Sequence, residues 1–140
     1  GEKGNDEING GGGADVIYGG DGKDNITGGK GNDVLVGGAG NDTYYYTSGD
    51  GNDTIIDTEG QNRIVIYDNN LQQCILGNLY ESGTNVWTSA DGRVQLFHNS
   101  PWTIETEDGG TIVLGENFQT GDYGINLMEN PRVSKEVFAC

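Results

Sequence analysis

Counted from Gly10, the chain repeats itself every nine residues: 10–18 read GGGGADVIY, 19–27 GGDGKDNIT, 28–36 GGKGNDVLV and 37–45 GGAGNDTYY. Residues 1–9, GEKGNDEIN, keep the frame with Glu2 in place of the second glycine. Two residues are inserted after Tyr45, and the frame resumes at Ser48 as SGDGNDTII. Residues 57–65 carry a last echo that keeps Gly60 but has Asn62 where the aspartate belongs. A period this short is the signature of a stacked repeat, in which each unit packs against its neighbours.

Each position of the unit has a physical reading. One apolar residue recurs two places after the aspartate: Ile8, Ile17, Ile26, Leu35, Tyr44, Ile55 and Ile64. Three residues with one inward side chain make a very short strand. The six residues before it are a turn whose glycines allow positive φ and close approach of neighbouring backbone. Two units then make one coil of 18 residues, with two parallel sheets facing each other over a thin apolar core. Stacking places Asp6, Asp24 and Asp42 along one side and Asp15, Asp33 and Asp53 along the other. One apolar side chain per unit is too little core to order nine residues alone. Rows of like charge add repulsion, so the pattern asks for a cation between the turns.

Composition bounds the partners. Glycine makes up 26 of 140 residues, and 22 acidic residues face 7 basic ones, a net charge of −15. That balance argues against nucleic acid and anionic membranes as electrostatic partners. Glycine-rich acidic sequence is compatible with disorder; the periodicity decides for an ordered repeat. No apolar run is long enough for a membrane-spanning helix, and no basic-then-apolar leader opens the chain. Gly1 starts inside the repeat, so a piece of a longer protein is expected. Cys74 and Cys140 fit neither a CxxC metal site nor a dense disulfide framework. One disulfide and two free thiols both remain open.

The turn chemistry suits calcium. Ca²⁺ takes oxygen ligands, carboxylates and carbonyls, in flexible geometry, whereas Mg²⁺ demands a tight octahedron and keeps its waters. Donor sets without His or Cys disfavour zinc and copper.

The recurring GGxGxDxUx units, U being apolar, resemble the RTX, or haemolysin-type, calcium-binding repeat. That resemblance covers residues 1–56 closely and 57–66 loosely, and implies an all-β fold with a parallel β-roll. In that family each ion lies between turns two units apart. The earlier turn gives carbonyls from positions two and four plus its aspartate; the later turn gives carbonyls from positions one and three plus its own. Carried over, one site is Gly11, Gly13 and Asp15 with Gly28, Lys30 and Asp33. A second is Gly20, Gly22 and Asp24 with Gly37, Ala39 and Asp42. A third is Glu2, Gly4 and Asp6 with Gly19, Asp21 and Asp24. A fourth is Gly29, Gly31 and Asp33 with Ser48, Asp50 and Asp53, provided that the two-residue insertion bulges outward. A fifth, Gly38, Gly40 and Asp42 facing the Asn62 turn, lacks one carboxylate. About four Ca²⁺ ions are expected. Residues 1–57 hold 11 acidic and 3 basic residues, net −8, the charge that four such ions would balance.

The repeat stops near residue 61, dividing the chain into a roll over 1–60 and a β-rich flanking region over 61–140. Arg63–Tyr67 reads as a strand closing the roll. Further strand-like runs are 73–80, 85–89, 93–98, 102–106 and 111–114, separated by turn signals. They are expected to form an antiparallel cap on the edge of the stack. Trp87, Phe97, Trp102, Phe118 and Tyr123 read as cap core more readily than as a sugar-binding platform, and His98 as a surface or packing residue. Asn117–Leu127 is similar to the tail of RTX flanks, and Glu136–Ala139 faintly to type I secretion signals, although Cys140 departs from them.

Three functions follow. The resemblance implies a secreted, extracellular module of a larger bacterial protein (toxin, adhesin or exoenzyme), exported by type I secretion machinery and folding on calcium outside. An adhesion or carbohydrate-binding module is the alternative. An enzyme finds little support, with no GxSxG, no HExxH and a single histidine.

Overall fold

The computed structural model describes residues 3–47, 49–57, 59–67, 73–75 (main chain only), 78–89, 92–98, 101–106, 109–116 and 118–128. Glu2, Ser48, the Cys74 side chain, Asn117 and residues 136–140 lie outside them.

The repeat alternates strands between two sheets because each turn reverses the chain after three residues. Strands β1 (Glu7–Asn9), β3 (Asn25–Thr27), β5 (Thr43–Thr47) and β7 (Arg63–Tyr67) pair in parallel in one sheet. Strands β2 (Val16–Tyr18), β4 (Val34–Val36) and β6 (Asn52–Ile56) pair in parallel in the other. The register sets Ile8 beside Ile26, Tyr44 and Ile64, and Ile17 beside Leu35 and Ile55. Except for Ile8, which packs partly buried against this core, these residues are buried. From β1 to β6 their strand neighbours are exposed or half-buried, as a half-buried strand requires, whereas in β7 the neighbour Val65 is buried too.

The insertion after Tyr45 does not bulge. Tyr46 and Thr47 lengthen β5 and continue its ladder, opposite Ile66 and Tyr67. Tyr46 is buried, and its hydroxyl donates to the Gly51 carbonyl at 2.6 Å. A phenol with an internal acceptor can be buried, so the extra residues are absorbed by the core.

Beyond the repeat, β8 (Gln73–Ile75) adds antiparallel to β7, so β7 is not the last strand of its sheet. The expected run over 73–80 splits between sheets, because β9 (Asn78–Gly83) joins the other one. There β9, β10 (Val86–Thr88), β11 (Val94–Phe97), β12 (Trp102–Thr106) and β13 (Thr111–Gly115) form an antiparallel meander. The outer strand β14 (Asn126–Met128) pairs with β9 in parallel. Strand β13 lies parallel to β6, so the meander and the even-numbered repeat strands form one nine-stranded sheet.

One apolar cluster spans both parts, from Ile17 through Ile55 to Ile104, Phe118 and Ile125. Trp102, Phe118 and Tyr123 are buried, and Trp102 packs on Trp87 and Phe118 at centroid distances of 5.6 and 5.0 Å. Exposed His98 stacks on Trp102 at 3.9 Å. Among the described residues, no helix is long and apolar enough to cross a membrane.

Candidate calcium sites

The turns of the stack touch main chain to main chain. Gly29 and Gly31 have φ of +86° and +109°, the left-handed region that glycine enters without penalty. A Cβ on Gly29 would strike the carbonyl oxygen of Gly11, and one on Gly31 that of Gly13. Gly38 and Gly40 stand in the same way over the carbonyls of Gly20 and Gly22, Gly22 over Gly4, and Gly51 over Gly31. The carbonyls at positions two and four therefore face the turn two units on. Position three answers them: Gly22 N–H donates to Ala39 O at 3.1 Å, and Gly31 N–H to Asp50 O at 2.8 Å. A carbonyl has two lone pairs, so each of these oxygens retains capacity.

The aspartates form two ladders. Asp6, Asp15, Asp24 and Asp33 each donate their N–H to an Oδ1 two units on, of Asp24, Asp33, Asp42 and Asp53 respectively, at 2.8–2.9 Å. Asp42 N–H donates to Asn62 Oδ1 at 2.8 Å, so the asparagine keeps the ladder while giving up the charge. The second oxygen is different. Oδ2 of Asp6, Asp15, Asp24, Asp33 and Asp42 is buried without a hydrogen-bond partner, although buried polar atoms are almost always paired. Asp24, Asp33 and Asp42 are each 1% exposed.

These oxygens meet main-chain carbonyls at position one. The point where Gly19 would carry a Cβ lies 2.6 Å from Asp24 Oδ2 and 2.7 Å from the Gly37 carbonyl oxygen. The corresponding point on Gly10 lies 2.8 Å from both Asp15 Oδ2 and Gly28 O. A side chain would fill each cradle. The residues expected from the sequence thus meet in part: Asp15 with Gly28 and Asp33, Asp24 with Gly37 and Asp42, Asp6 with Asp24, and Asp33 with Asp50 and Asp53. The side chains of Asp21 and Lys30 are exposed, and only their carbonyls were expected to take part. Among the described residues, no three His, Cys, Asp or Glu side chains converge as a metal cluster, so the donor set is largely main chain.

The electrostatics follow from burial. Desolvation pushes Asp42 up to about 7, offset by the Asp24 N–H and reinforced by the Asp57 carboxylate. Burial likewise pushes Asp53 up to about 7, with Asp33 and Asp50 adding charge repulsion against the Asp33 N–H. Asp50 is raised mainly by burial. Lys30 offsets part of the rise at Asp50, whereas no cation offsets it at Asp42 and Asp53.

Sequence reasoning missed two features. Asn5, Asn32 and Asn41 run a second ladder, accepting from the N–H of Lys23, Asn52 and Gln61 at 2.8–2.9 Å. Its signal is the asparagine before the aspartate in four of the units. Asp57 was also passed over, yet its carboxylate lies beside Asp42.

Paired ladders of buried, unsatisfied carboxylate oxygens interleaved with carbonyls define a repeat that binds hard cations. Residues 1–26, 18–50 and 47–65 match the RTX calcium-binding nonapeptide repeat, in four copies. Residues 1–65 therefore carry calcium-binding repeats of the RTX kind, a repeat that is structural rather than catalytic. No curated protein matches the chain.

Proposed function

We propose that this chain is a calcium-switched folding module of a larger exported bacterial protein. On this reading residues 1–60 are a parallel β-roll and residues 61–140 its flanking region, whose antiparallel strands cap it. About four Ca²⁺ ions are held by the turn pairs set out above, through Asp6, Asp15, Asp24, Asp33, Asp42 and Asp53 and the intervening carbonyls. The observation that carries this is the set of five buried Oδ2 atoms with no hydrogen-bond partner. Bound calcium supplies the positive charge that these oxygens lack.

The switch follows from linkage. The sites exist only when the turns are stacked, so binding energy becomes folding energy. Extracellular-type sites have Kd of about 10⁻⁴–10⁻³ M. Inside a cell, where free calcium lies far below that, the acidic repeat stays unfolded through self-repulsion and suits passage through a type I secretion channel. Outside, calcium drives stacking. The family likeness supports the export route and the extracellular location. An adhesive or carbohydrate-binding role has less support, because Trp102, Phe118 and Tyr123 spend their faces on internal packing.

Far-UV circular dichroism in EGTA, then with Ca²⁺ raised to about 10 mM against a Mg²⁺ control, tests the switch. A steep gain of β signal with Ca²⁺ alone is expected. A full β signal in EGTA would overturn it.

A further inference from the structure

The end of the stack departs from the repeat at two positions at once. Asn62 replaces the aspartate, and Asp57 stands at position one, where the preceding units have glycine or serine. Judged by the pattern alone, the turn facing Gly38, Gly40 and Asp42 has lost a ligand. The structure puts a different carboxylate there.

At Gly37 the point that a Cβ would occupy is crowded by Asp42 Oδ2, Asp57 Oδ2 and the Tyr44 hydroxyl together. At Gly19 the equivalent place holds one carboxylate oxygen and the Gly37 carbonyl. Asp57 thus sets a carboxylate oxygen where the earlier turns set the main-chain carbonyl of position one. Asp42 is 1% exposed and its Oδ2 has no hydrogen-bond partner. Asn62 is neutral and cannot supply the missing charge; its Oδ1 accepts from Asp42 N–H and its Nδ2 donates to Glu59 O at 2.9 Å.

Asp57 is held in place from several sides. Tyr44 OH donates to its Oδ2 at 2.5 Å and Glu59 N–H to its Oδ1 at 3.2 Å. Tyr123 OH donates to its main-chain carbonyl at 3.3 Å, and the Tyr44 and Tyr123 rings meet edge to face at 6.2 Å. A cavity of about 600 Å³ adjoins the site, lined among others by Asp57, Asn62, Phe118 and Tyr123, and leaves an approach from solvent.

We propose that Asp42 and Asp57 form a fifth, terminal Ca²⁺ site, in which the Asp57 side chain replaces the carboxylate that Asn62 no longer provides. It rests on the calcium reading above and extends it to a turn that the repeat pattern discounts. Two carboxylates with the carbonyls of Gly38 and Gly40 are the oxygen-rich, mixed donor set that calcium takes. Because Tyr123 belongs to the flanking region and bonds Asp57, this ion sits where the repeat ends and that region begins.

The test is ion stoichiometry of the full chain by native mass spectrometry and equilibrium dialysis with Ca²⁺. Asp57→Asn keeps the shape and an acceptor for Tyr44, and is expected to bind one ion fewer than the parent. Equal counts would overturn the terminal site while leaving the other four intact. A parent chain that binds no calcium would sink both readings together. Asn62→Asp guards against a misfolded variant, since it restores the repeat. An unchanged count with tighter binding of the weakest ion is expected; a count that rises by one would mean that Asp57 had not been filling the place.

Discussion

The two parts of the molecule share a sheet and an apolar cluster, yet they bury different things. Among the described residues of the repeat the buried polar ones are Asp24, Asp33, Asp42, Asp53 and Asn62. In the meander, among the described residues, they are Ser89 and Thr106, both neutral and both satisfied. Ser89 Oγ accepts from Val94 N–H at 3.1 Å, and Thr106 Oγ1 donates to Gly110 O at 3.2 Å. The meander carries large side chains on its inner face: Leu79, Val94, Leu96, Trp102, Ile104, Ile112 and Leu114 are all buried. From β1 to β4 the repeat has one such side chain per unit, set among glycine-rich turns. One part is organised by apolar burial, the other by oxygen atoms that wait for a cation.

That contrast can be broken from either side. Leu96 is fully buried in the meander. Leu96→Ala should cost about 2–5 kcal/mol, by equal amounts with calcium and with chelator, as denaturant unfolding followed by Trp87 and Trp102 fluorescence would measure. A loss confined to the calcium-loaded state would mean that the meander has no independent core. Gly29→Ala comes next. It forces a side chain into a left-handed turn and against the Gly11 carbonyl, at a cost of about 1–3 kcal/mol for the backbone conformation alone. Thermal melts in calcium should fall accordingly, while Gly92→Ala, which has positive φ but meets no atom within 4 Å, should fall less.

Asp33→Asn should act with opposite signs in the two states. Removing one ligand charge is expected to raise the calcium midpoint about tenfold, or 1.4 kcal/mol. In chelator the same change removes a buried, uncompensated carboxylate and should increase residual β signal. Calorimetric titration and circular dichroism read the two halves of this prediction.

Acid should have the smallest effect. Asp42 and Asp53 lie near 7 in the folded chain against an ordinary value of 3.8. A raised carboxyl stabilises the fold most when protonated, so its contribution is full below about pH 3.8 and is lost as pH rises through about 7. The metal-free chain should gain β signal on going from pH 7.5 to 5, and the calcium-loaded chain should not.

Much of the repeat could be read from the sequence because its information is local and repeated. The apolar residue two places after the aspartate is the centre of each strand from β1 to β4 and lies within β5 and β6. Gly29 and Gly31 announce the turn in which they lie. What escaped was non-local or depended on one atom. That β13 would lie parallel to β6 is a pairing across more than fifty residues, with Thr111 opposite Asn52. That Tyr46 would continue β5 rather than bulge depended on a carbonyl acceptor at Gly51. The asparagine ladder was written in the unit but looked like a turn preference, because asparagine is common in turns for its own sake. Asp57 stood where the motif expects glycine and so read as decay of the repeat.

The most direct measurement is amide hydrogen exchange by mass spectrometry on the full chain, in EGTA and in saturating Ca²⁺. The account predicts that β1 to β4 lose protection in EGTA and regain it with calcium, while β11 and β12 change little. Full protection of β1 to β4 in EGTA would contradict it, since the repeat would then stand without the cation its carboxylates demand.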